Sequence, residues 1–447
     1  MNQKKQMVST KTKSDIKSKE LKLDTKRTIY VGFAFFTILM LMQVYNNYCS
    51  VFLEELGVNP LWTGVMMALD NVFALFMLPF FGNLSDKSHS KVGKRTIFII
   101  IGVLMASLST PLIIIAFLLK SKFYLIVSMG LVLIAINMYR SPAVALMPDV
   151  TPKPLRSKAN AIINLVGYAG GIVATVLYTV TGGVSVNSET HELLNANKIW
   201  IPFVVLPVIC IIVLVIFLIK VKENKLLKDV KEEMEIGEAQ AETIEKLSEN
   251  KPLGKHNKFN LIIILLSVCL WKFGFNAVET FGSNFVHNLT PENDGWWGTV
   301  SLAMIAVSII SFIPAGKITE KLGRKKTVIL GNFLMILGLM GATYLTITYT
   351  ESISHMLFII PIIPIGMGWA WINVNSYTMV VELSTKQNVG KYTGYYYLFS
   401  NVAEILTPIV FGAIASVVES KYKCLFLYSL VVIDIAIMVF SLYKNKR

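Results

Sequence analysis

The sequence predicts an all-α integral membrane protein: twelve transmembrane helices in two six-helix pseudo-repeats around a central cavity. Three observations carry this. Of the 447 residues, 54% are hydrophobic and 16% charged, with a mean hydropathy of +0.59; a soluble chain of this size carries about a quarter charged residues. Twelve apolar runs are each long enough, at ~1.5 Å per residue, to cross ~30 Å of hydrocarbon. Two polar stretches of one kind recur. The first is Gly82-Asn-Leu-Ser-Asp86-Lys87, followed by Gly93-Lys94-Arg95, and the second is Gly316-Lys-Ile-Thr-Glu320-Lys321-Leu-Gly323-Arg324. Gly82 and Gly316 stand 234 positions apart, about half the chain, which marks a duplicated unit.

Taken in order, residues 1–27 are polar and Lys-rich and precede no short apolar segment with a cleavage site. They read as a cytoplasmic tail rather than a signal peptide. Runs at 29–53, 62–81, 96–119, 123–147, 159–181 and 199–220 form an N-terminal bundle within 28–220. Glycine and proline inside them do not exclude helices, because neighbours in a membrane bundle satisfy freed backbone groups. Residues 221–258 mix Lys and Glu and read as a cytoplasmic central linker, a flexible tether, with a surface helix around Lys225–Leu247 as the other reading. Runs at 259–286, 297–315, 327–349, 355–381, 392–417 and 423–443 form the C-terminal bundle within 259–443, and 444–447 is a second tail. In each polar stretch the glycine is expected to end its helix and let two backbones approach.

A net charge of +14 would point to nucleic acid in a soluble chain, but its distribution points elsewhere. Of the 42 Lys and Arg residues, Arg140 and Lys272 lie within runs. Only Lys120, Lys122, Lys198, Lys421 and Lys423 lie on the face opposite the N-terminus. That asymmetry is the positive-inside pattern, so both termini are expected in the cytoplasm of a multi-pass plasma-membrane protein with no nucleic-acid partner. Cys49, Cys210, Cys269 and Cys424 fall in apolar runs without ligand spacing and read as packing residues. His89, His191, His256, His287 and His355 are scattered in loops or at run ends. With no metal cluster or nucleotide loop, no enzyme, cofactor, catalytic residue or metal site is expected.

A second pair of motifs repeats the offset. The fourth run ends in Tyr139-Arg140-Ser-Pro-Ala-Val-Ala-Leu-Met-Pro-Asp149, followed by Arg156 and Asn160. The tenth ends in Ile372-Asn373-Val-Asn375-Ser376-Tyr-Thr-Met-Val-Val-Glu382, followed by Gly390, Lys391 and Gly394. Asp149 and Glu382 are 233 positions apart. Twelve runs, a long central linker and the paired Gly–acid–base loops resemble the major facilitator superfamily over nearly the whole chain. The first loop has four residues more than the second, and with the Arg140–Asp149 stretch this is similar to the sucrose-transporter-like and glycoside–pentoside–hexuronide cation symporter branch. Plant-type members of that branch have an arginine where this chain has Val144; here the arginine is Arg140, earlier on the same face.

The resemblance implies secondary transport by alternating access. Two halves rock about a central site, with helices 1, 4, 7 and 10 lining it and 2, 5, 8 and 11 forming the moving contacts. It also implies a cytoplasmic gate of Gly82, Asp86, Lys87, Gly93, Lys94, Arg95, Asp149 and Arg156. Asp86 would pair with the start of helix 11, and Lys94 or Arg95 with Asp149. Gly316, Glu320, Gly323, Arg324 and Glu382 would repeat the arrangement. The alternative is that these charges only solvate loops.

Ionisable groups within spans cost roughly 2.5–3.5 kcal/mol on insertion scales and are functional candidates. Asp70, Arg140, Lys272, Glu279, Glu404 and Asp434 stand out, and the acids outnumber the bases. A surplus carboxylate in low dielectric holds a proton or attracts a cation. Lys272, Asn276 and Glu279 share one helix face, with Trp271 beside it; Gln43, Asn46, Asn47 and Ser50 form a similar stripe. Trp369, Asn373 and Ser376 share a face with Trp371 and Asn375 beside it, and the fourth run offers Asn137, Arg140 and Ser141. Such stripes can serve only to hold helices together. They also suit a sugar, since amides, Arg and carboxylates bond hydroxyls and indoles pack on apolar sugar faces.

Asp70 is the first choice for coupling, with Glu279 and Glu404 as further cation-coupling groups. Melibiose-type sodium symporters place two acids one turn apart on helix 2; here the next turn carries Ala74, so a proton is favoured over sodium. A structural Asp70–Arg140 ion pair is the alternative. Glu404 is either a second cation group or a contact between halves, and Asp434 reads as a buried structural hydrogen bond. The resulting expectation is a monomeric, proton-coupled importer of a small glycoside or oligosaccharide. Other readings are a symporter of another solute such as lysophospholipid, which a wide lateral opening would favour, or a non-transporting sensor.

Overall fold

The computed structural model describes residues 21–246, 255–350, 353–384 and 388–444, so most of the first tail, Leu247 and residues 445–447 lie outside it. Six long helices form the first half: α1 Thr25–Glu55, α2 Pro60–Asp86, α3 Thr96–Leu118, α4 Lys122–Asp149, α5 Arg156–Thr181 and α6 Ile201–Lys220. Six form the second: α7 Lys255–Leu289, α8 Trp296–Leu322, α9 Arg324–Thr348, α10 Ile359–Glu382, α11 Val389–Val417 and α12 Leu425–Ser441. Eleven are long and apolar enough to cross a membrane; α8 is the twelfth, bent by 48° between Phe312 and Pro314. A proline inside a helix removes one backbone bond and clashes with the preceding turn, which accounts for the bend.

Local chemistry sets the ends. The Asp24 carboxylate accepts from the Arg27 N–H at 3.0 Å and opens α1. Asn59 caps α2, whose first residue is Pro60, a position where the missing N–H costs nothing. Gly182, at φ 83°, closes α5. The two halves repeat one packing scheme: α1 against α4, α5 and α6, and α3 against α4 and α6, recur as α7 against α10, α11 and α12, and α9 against α10 and α12.

Two expectations are corrected here. Gly82 and Gly316 do not end their helices: α2 continues to Asp86 and α8 to Leu322, where Gly323 at φ 81° stops it. The polar residues of these last turns stay helical because their side chains reach water while the backbone bonds persist. Gly82 gives room instead, since a Cβ there would lie 2.8 Å from Ser141 Oγ. The linker is also more than a tether. It forms helices Glu223–Asp229 and Lys231–Lys246 against the first half. The buried Glu223 carboxylate accepts from the N–H of Arg95 at 3.1 Å, the N–H of Thr96 at 2.8 Å and the Thr96 hydroxyl at 2.7 Å. These are unpaired donors at the positive end of α3, so an acid there is favoured. Asn224 donates to the Lys91 carbonyl at 2.7 Å, and Arg27 meets Glu233 at 3.3 Å.

The halves meet through α1–α7, α2–α11 and α5–α8. The contacts are tightest on the face away from the termini. A Cβ on Gly64 would lie 2.0 Å from the Pro408 carbonyl oxygen, and one on Gly298 2.1 Å from Thr179 Oγ1. Toward the terminal face the helices separate. Gly316, Gly390 and Gly394 have open space where a Cβ would project, and Phe76 of α2 and Tyr397 of α11 are 68% and 56% exposed. No hydrogen bond or ion pair among the described residues joins the halves on that face.

Candidate functional site

Where the halves part, a cavity of about 300 Å³ opens. Gln43 and Asn46 of α1, Asp70 and Asn71 of α2, and Arg140 of α4 line one wall. Asn276 and Glu279 of α7 and Glu404 of α11 line the other. Each sits on the inward face of its helix, where water can solvate a charge that hydrocarbon would not.

The charges are unevenly matched. Lys272 is committed to Glu404, at 2.7 Å within the second half, and lies 5.3 Å over the Trp369 ring. Trp369 in turn stacks on Phe275 at 4.0 Å and 5°. Glu404 is therefore an intra-half partner; only its backbone carbonyl reaches the other half, accepting from Asn71 at 3.3 Å. Arg140 forms no ion pair among the described residues, so the structural Asp70–Arg140 pair is not made. Asp70 Oδ1 is buried without a hydrogen-bond partner, and the Glu279 side chain is exposed to the cavity.

Near the terminal face, Arg95 is the hub of the first of the two clusters expected to form a gate. Its guanidinium bonds Asp86 and Ser85, its Nε reaches Asp149 at 3.1 Å, and Lys94 also meets Asp149 at 3.4 Å. In the second half Arg324 pairs with Glu382 at 2.6 Å. Asp86 is thus held by Arg95 rather than by the start of α11, because the halves are apart there. Glu320 is exposed and makes no ion pair among the described residues. Arg156 caps the end of α4 through the carbonyls of Pro148, at 3.0 Å, and Thr151, at 3.2 Å. Lys87 is exposed, and Gly93, at φ 128°, leaves space that Glu223 fills.

The sequence profile of the Major Facilitator Superfamily matches residues 31–408 and 284–447. The chain belongs to the Major Facilitator Superfamily. It is a transporter rather than an enzyme. A stretch of 190 residues is 27% identical to the sucrose transport protein SUC4 of Arabidopsis thaliana, covering 35% of this chain and 36% of that one. The alignment thus spans about a third of this relative's length. Solved structures with the same fold include the nucleoside transporter NupG, with TM-score 0.65, 13% identity and coverage of 94% of this chain and 100% of that one. The xylose transporter XylE from E. coli in an inward open conformation gives TM-score 0.62 at 12% identity, over 95% and 96% of the two chains.

Within this superfamily fold, several expected binding residues have other work. Asn47 is buried and accepts from Gln43 Nε2 at 3.1 Å. Asn137 is buried and donates to the Leu133 carbonyl at 3.0 Å. Trp371 packs on Ala315 and Ala370; Asn375 accepts from Thr319 at 3.0 Å and donates to the Trp371 carbonyl at 2.8 Å, tying α8 to α10. Trp271 is fully buried, with its Nε1 donating to Asn332 at 2.7 Å. Trp369 and Asn373 are partly exposed, but α10 contributes nothing to the cavity lining. Its place is taken by Tyr168 of α5 and by Trp297 and Ser301 of α8, which sequence reasoning missed. Asp434 is partly exposed without a hydrogen bond or ion pair among the described residues, so the expected buried bond is absent.

The seal on the face away from the termini was also missed. Glu54 of α1 accepts from Asn284 at 2.7 Å and Asn288 at 2.8 Å, both on α7. Glu55 meets His287 at 2.8 Å. The buried Asp294, in the loop after α7, accepts from the Tyr178 hydroxyl of α5 and from the Val184 N–H at 3.3 Å. The only sequence signal was the position of Glu54 and Glu55 and of Asn284, His287 and Asn288 at equivalent ends of α1 and α7; Asp294 and Tyr178 carried none.

Proposed function

We propose that this chain imports a small glycoside or oligosaccharide together with protons, by alternating access. It acts as a monomer in the cell membrane with both termini in the cytoplasm. The orientation rests on the Lys and Arg asymmetry, which puts the open face inside. The single observation that carries the coupling is Asp70, with one oxygen buried and unpartnered at the cavity wall. An acid so placed can take a proton while the cavity faces outside and give it up when the cavity faces in. Sodium is disfavoured because Ala74 occupies the position of a second acid on α2.

The sugar reading is supported by the lining and by the relatives' names. Gln43, Asn46, Asn276 and Arg140 supply donors and acceptors for hydroxyls. A volume of about 300 Å³ falls in the small-ligand range. The relative from Arabidopsis is called a sucrose transport protein, and XylE a xylose transporter. The test is uptake of a labelled mono- and disaccharide panel into proteoliposomes under an imposed proton gradient and, separately, a sodium gradient. Accumulation of one sugar driven by protons supports the reading. Accumulation driven by sodium alone removes the proton, and no sugar uptake under either gradient removes the glycoside and turns attention to lipid solutes.

A further inference from the structure

We propose that the seal on the face away from the termini is clamped by a proton carried on His287, so that acidity on that side sets which way the transporter faces. This rests on the alternating-access reading and adds a gate separate from the coupling acids in the cavity.

His287 ends α7 with its side chain 5% exposed. Its Nε2 lies 2.8 Å from Glu55 Oε1, and its Nδ1 lies 3.4 Å from Asp294 Oδ2. A neutral imidazole has one N–H and can serve only one of these carboxylates; the imidazolium donates to Glu55 from Nε2 and presents a charged Nδ1–H to Asp294 as an ion pair. Glu55 belongs to the first half. Asp294 belongs to the second but grips the first through Tyr178 and the Val184 N–H. One proton therefore holds the bond to Glu55 across the seam and, within the second half, the ion pair with the Asp294 that grips the first.

The other charged and titratable groups facing this point sharpen the argument. Glu54 lies beside Glu55 on α1 and bonds Asn284 and Asn288. His191, in the loop after α5, is 3.3 Å from Glu55 but 70% exposed. Lys421, after α11, lines the same hollow, and Tyr178 of α5 completes the set. Three carboxylates thus converge where His287 is the enclosed cation. Without its proton, His287 can serve only one carboxylate, and the three acids lose the enclosed positive charge that offsets their repulsion. The hollow, about 390 Å³ and lined by Glu54, Glu55, His191 and His287, gives protons access from that side. His287 does not line the central cavity, so its proton stays at the gate rather than travelling with substrate.

The test uses the full chain in lipid nanodiscs, with Cys269 and Cys424 replaced by serine and with Asp70→Asn and Glu279→Gln removing the cavity acids other than Glu404, which stays paired with Lys272. Spin labels on Glu189→Cys and Glu419→Cys read the distal face; a second pair on Lys91→Cys and Lys391→Cys reads the terminal face. The distal distance is expected to be short at pH 5 and to shift toward a longer population by pH 8. A one-proton linkage changes the closed-to-open ratio by at most about tenfold per pH unit. His287→Gln, a neutral amide that can donate to a carboxylate, is expected to remove this pH response while melting at a similar temperature. The proposal is overturned if His287→Gln responds to pH like its parent. It is also overturned if the parent's distal pair ignores pH while the terminal pair moves with substrate, which leaves alternating access standing. If neither pair moves under any condition, alternating access falls together with the gate.

Discussion

Glu55 and His287 stand 232 positions apart in the chain and 2.8 Å apart in space. Ser50 and Ser283 meet at 3.5 Å with an offset of 233, and Glu54 and Asn288 at 2.8 Å with an offset of 234. These offsets match the one that separates Gly82 from Gly316. Equivalent residues of a duplicated bundle face each other only on the pseudo-two-fold axis between its halves. That axis passes between the ends of α1 and α7, through the seal.

The seal depends on backbone contact at Gly64. The nearest atom to a Cβ there is the Pro408 carbonyl oxygen, a backbone atom that no rotamer change can move. Gly64→Leu should therefore disfavour the closed seal by ~1–3 kcal/mol, or about 5- to 150-fold in population. Labelling of a distal cysteine in the seam should rise and net uptake should fall, with the helical content unchanged.

Lys272 and Glu404 form a pair in which each side chain is about a quarter exposed. Lys272→Met leaves Glu404 without its cation and should lower stability by up to ~3 kcal/mol, less than for a fully enclosed pair. Lys272→Met combined with Glu404→Gln should recover most of the loss. Melting of the single and double variants in detergent checks this; equal losses would contradict the pairing.

Arg140 lines the cavity near Asp70 and forms no ion pair among the described residues. Arg140→Gln should weaken substrate binding by ~1.5–3 kcal/mol, about 10- to 150-fold in apparent affinity. Arg140→Lys should recover only part of it, since an ammonium lacks the two-pronged donor geometry. Concentration dependence of uptake, or binding by calorimetry, measures both.

Glu223 fixes the linker to the start of α3. Glu223→Ala leaves the Arg95 and Thr96 N–H groups without that acceptor and should cost ~1–3 kcal/mol. A drop in melting temperature, with faster proteolysis of the linker, is the expected outcome. An unchanged protein would show that water replaces the carboxylate at no cost.

Much of this architecture was legible because hydrocarbon imposes simple rules. Run length located twelve helices, most of them to within a few residues, although α2 and α8 run five and seven residues past the expected ends; the repeated offset pointed to two halves. Within the cavity, the mid-span charges Asp70, Arg140, Glu279 and Glu404 were legible for the same reason: lipid excludes them. The amides were not. Asn137 and Asn375 look like Asn276 in sequence, yet they donate to the carbonyls of Leu133 and Trp371 four residues back and are not among the residues that line the cavity. Tyr168 carried no pattern at all, since a tyrosine on a lipid face and one on a cavity wall read alike. The linker's order was hidden because Glu223 gains its partners only from a loop far away in sequence.

The central claim is that Asp70 couples a proton gradient to solute movement, and the most direct measurement separates driven accumulation from exchange. Proteoliposomes carrying wild type or Asp70→Asn would be tested for uptake against a concentration gradient under an imposed proton gradient. They would then be tested for counterflow with equal pH on both sides. The account predicts that wild type does both, whereas Asp70→Asn loses accumulation and keeps counterflow, since the cavity and both gates are intact. Accumulation by Asp70→Asn at the wild-type level would contradict it.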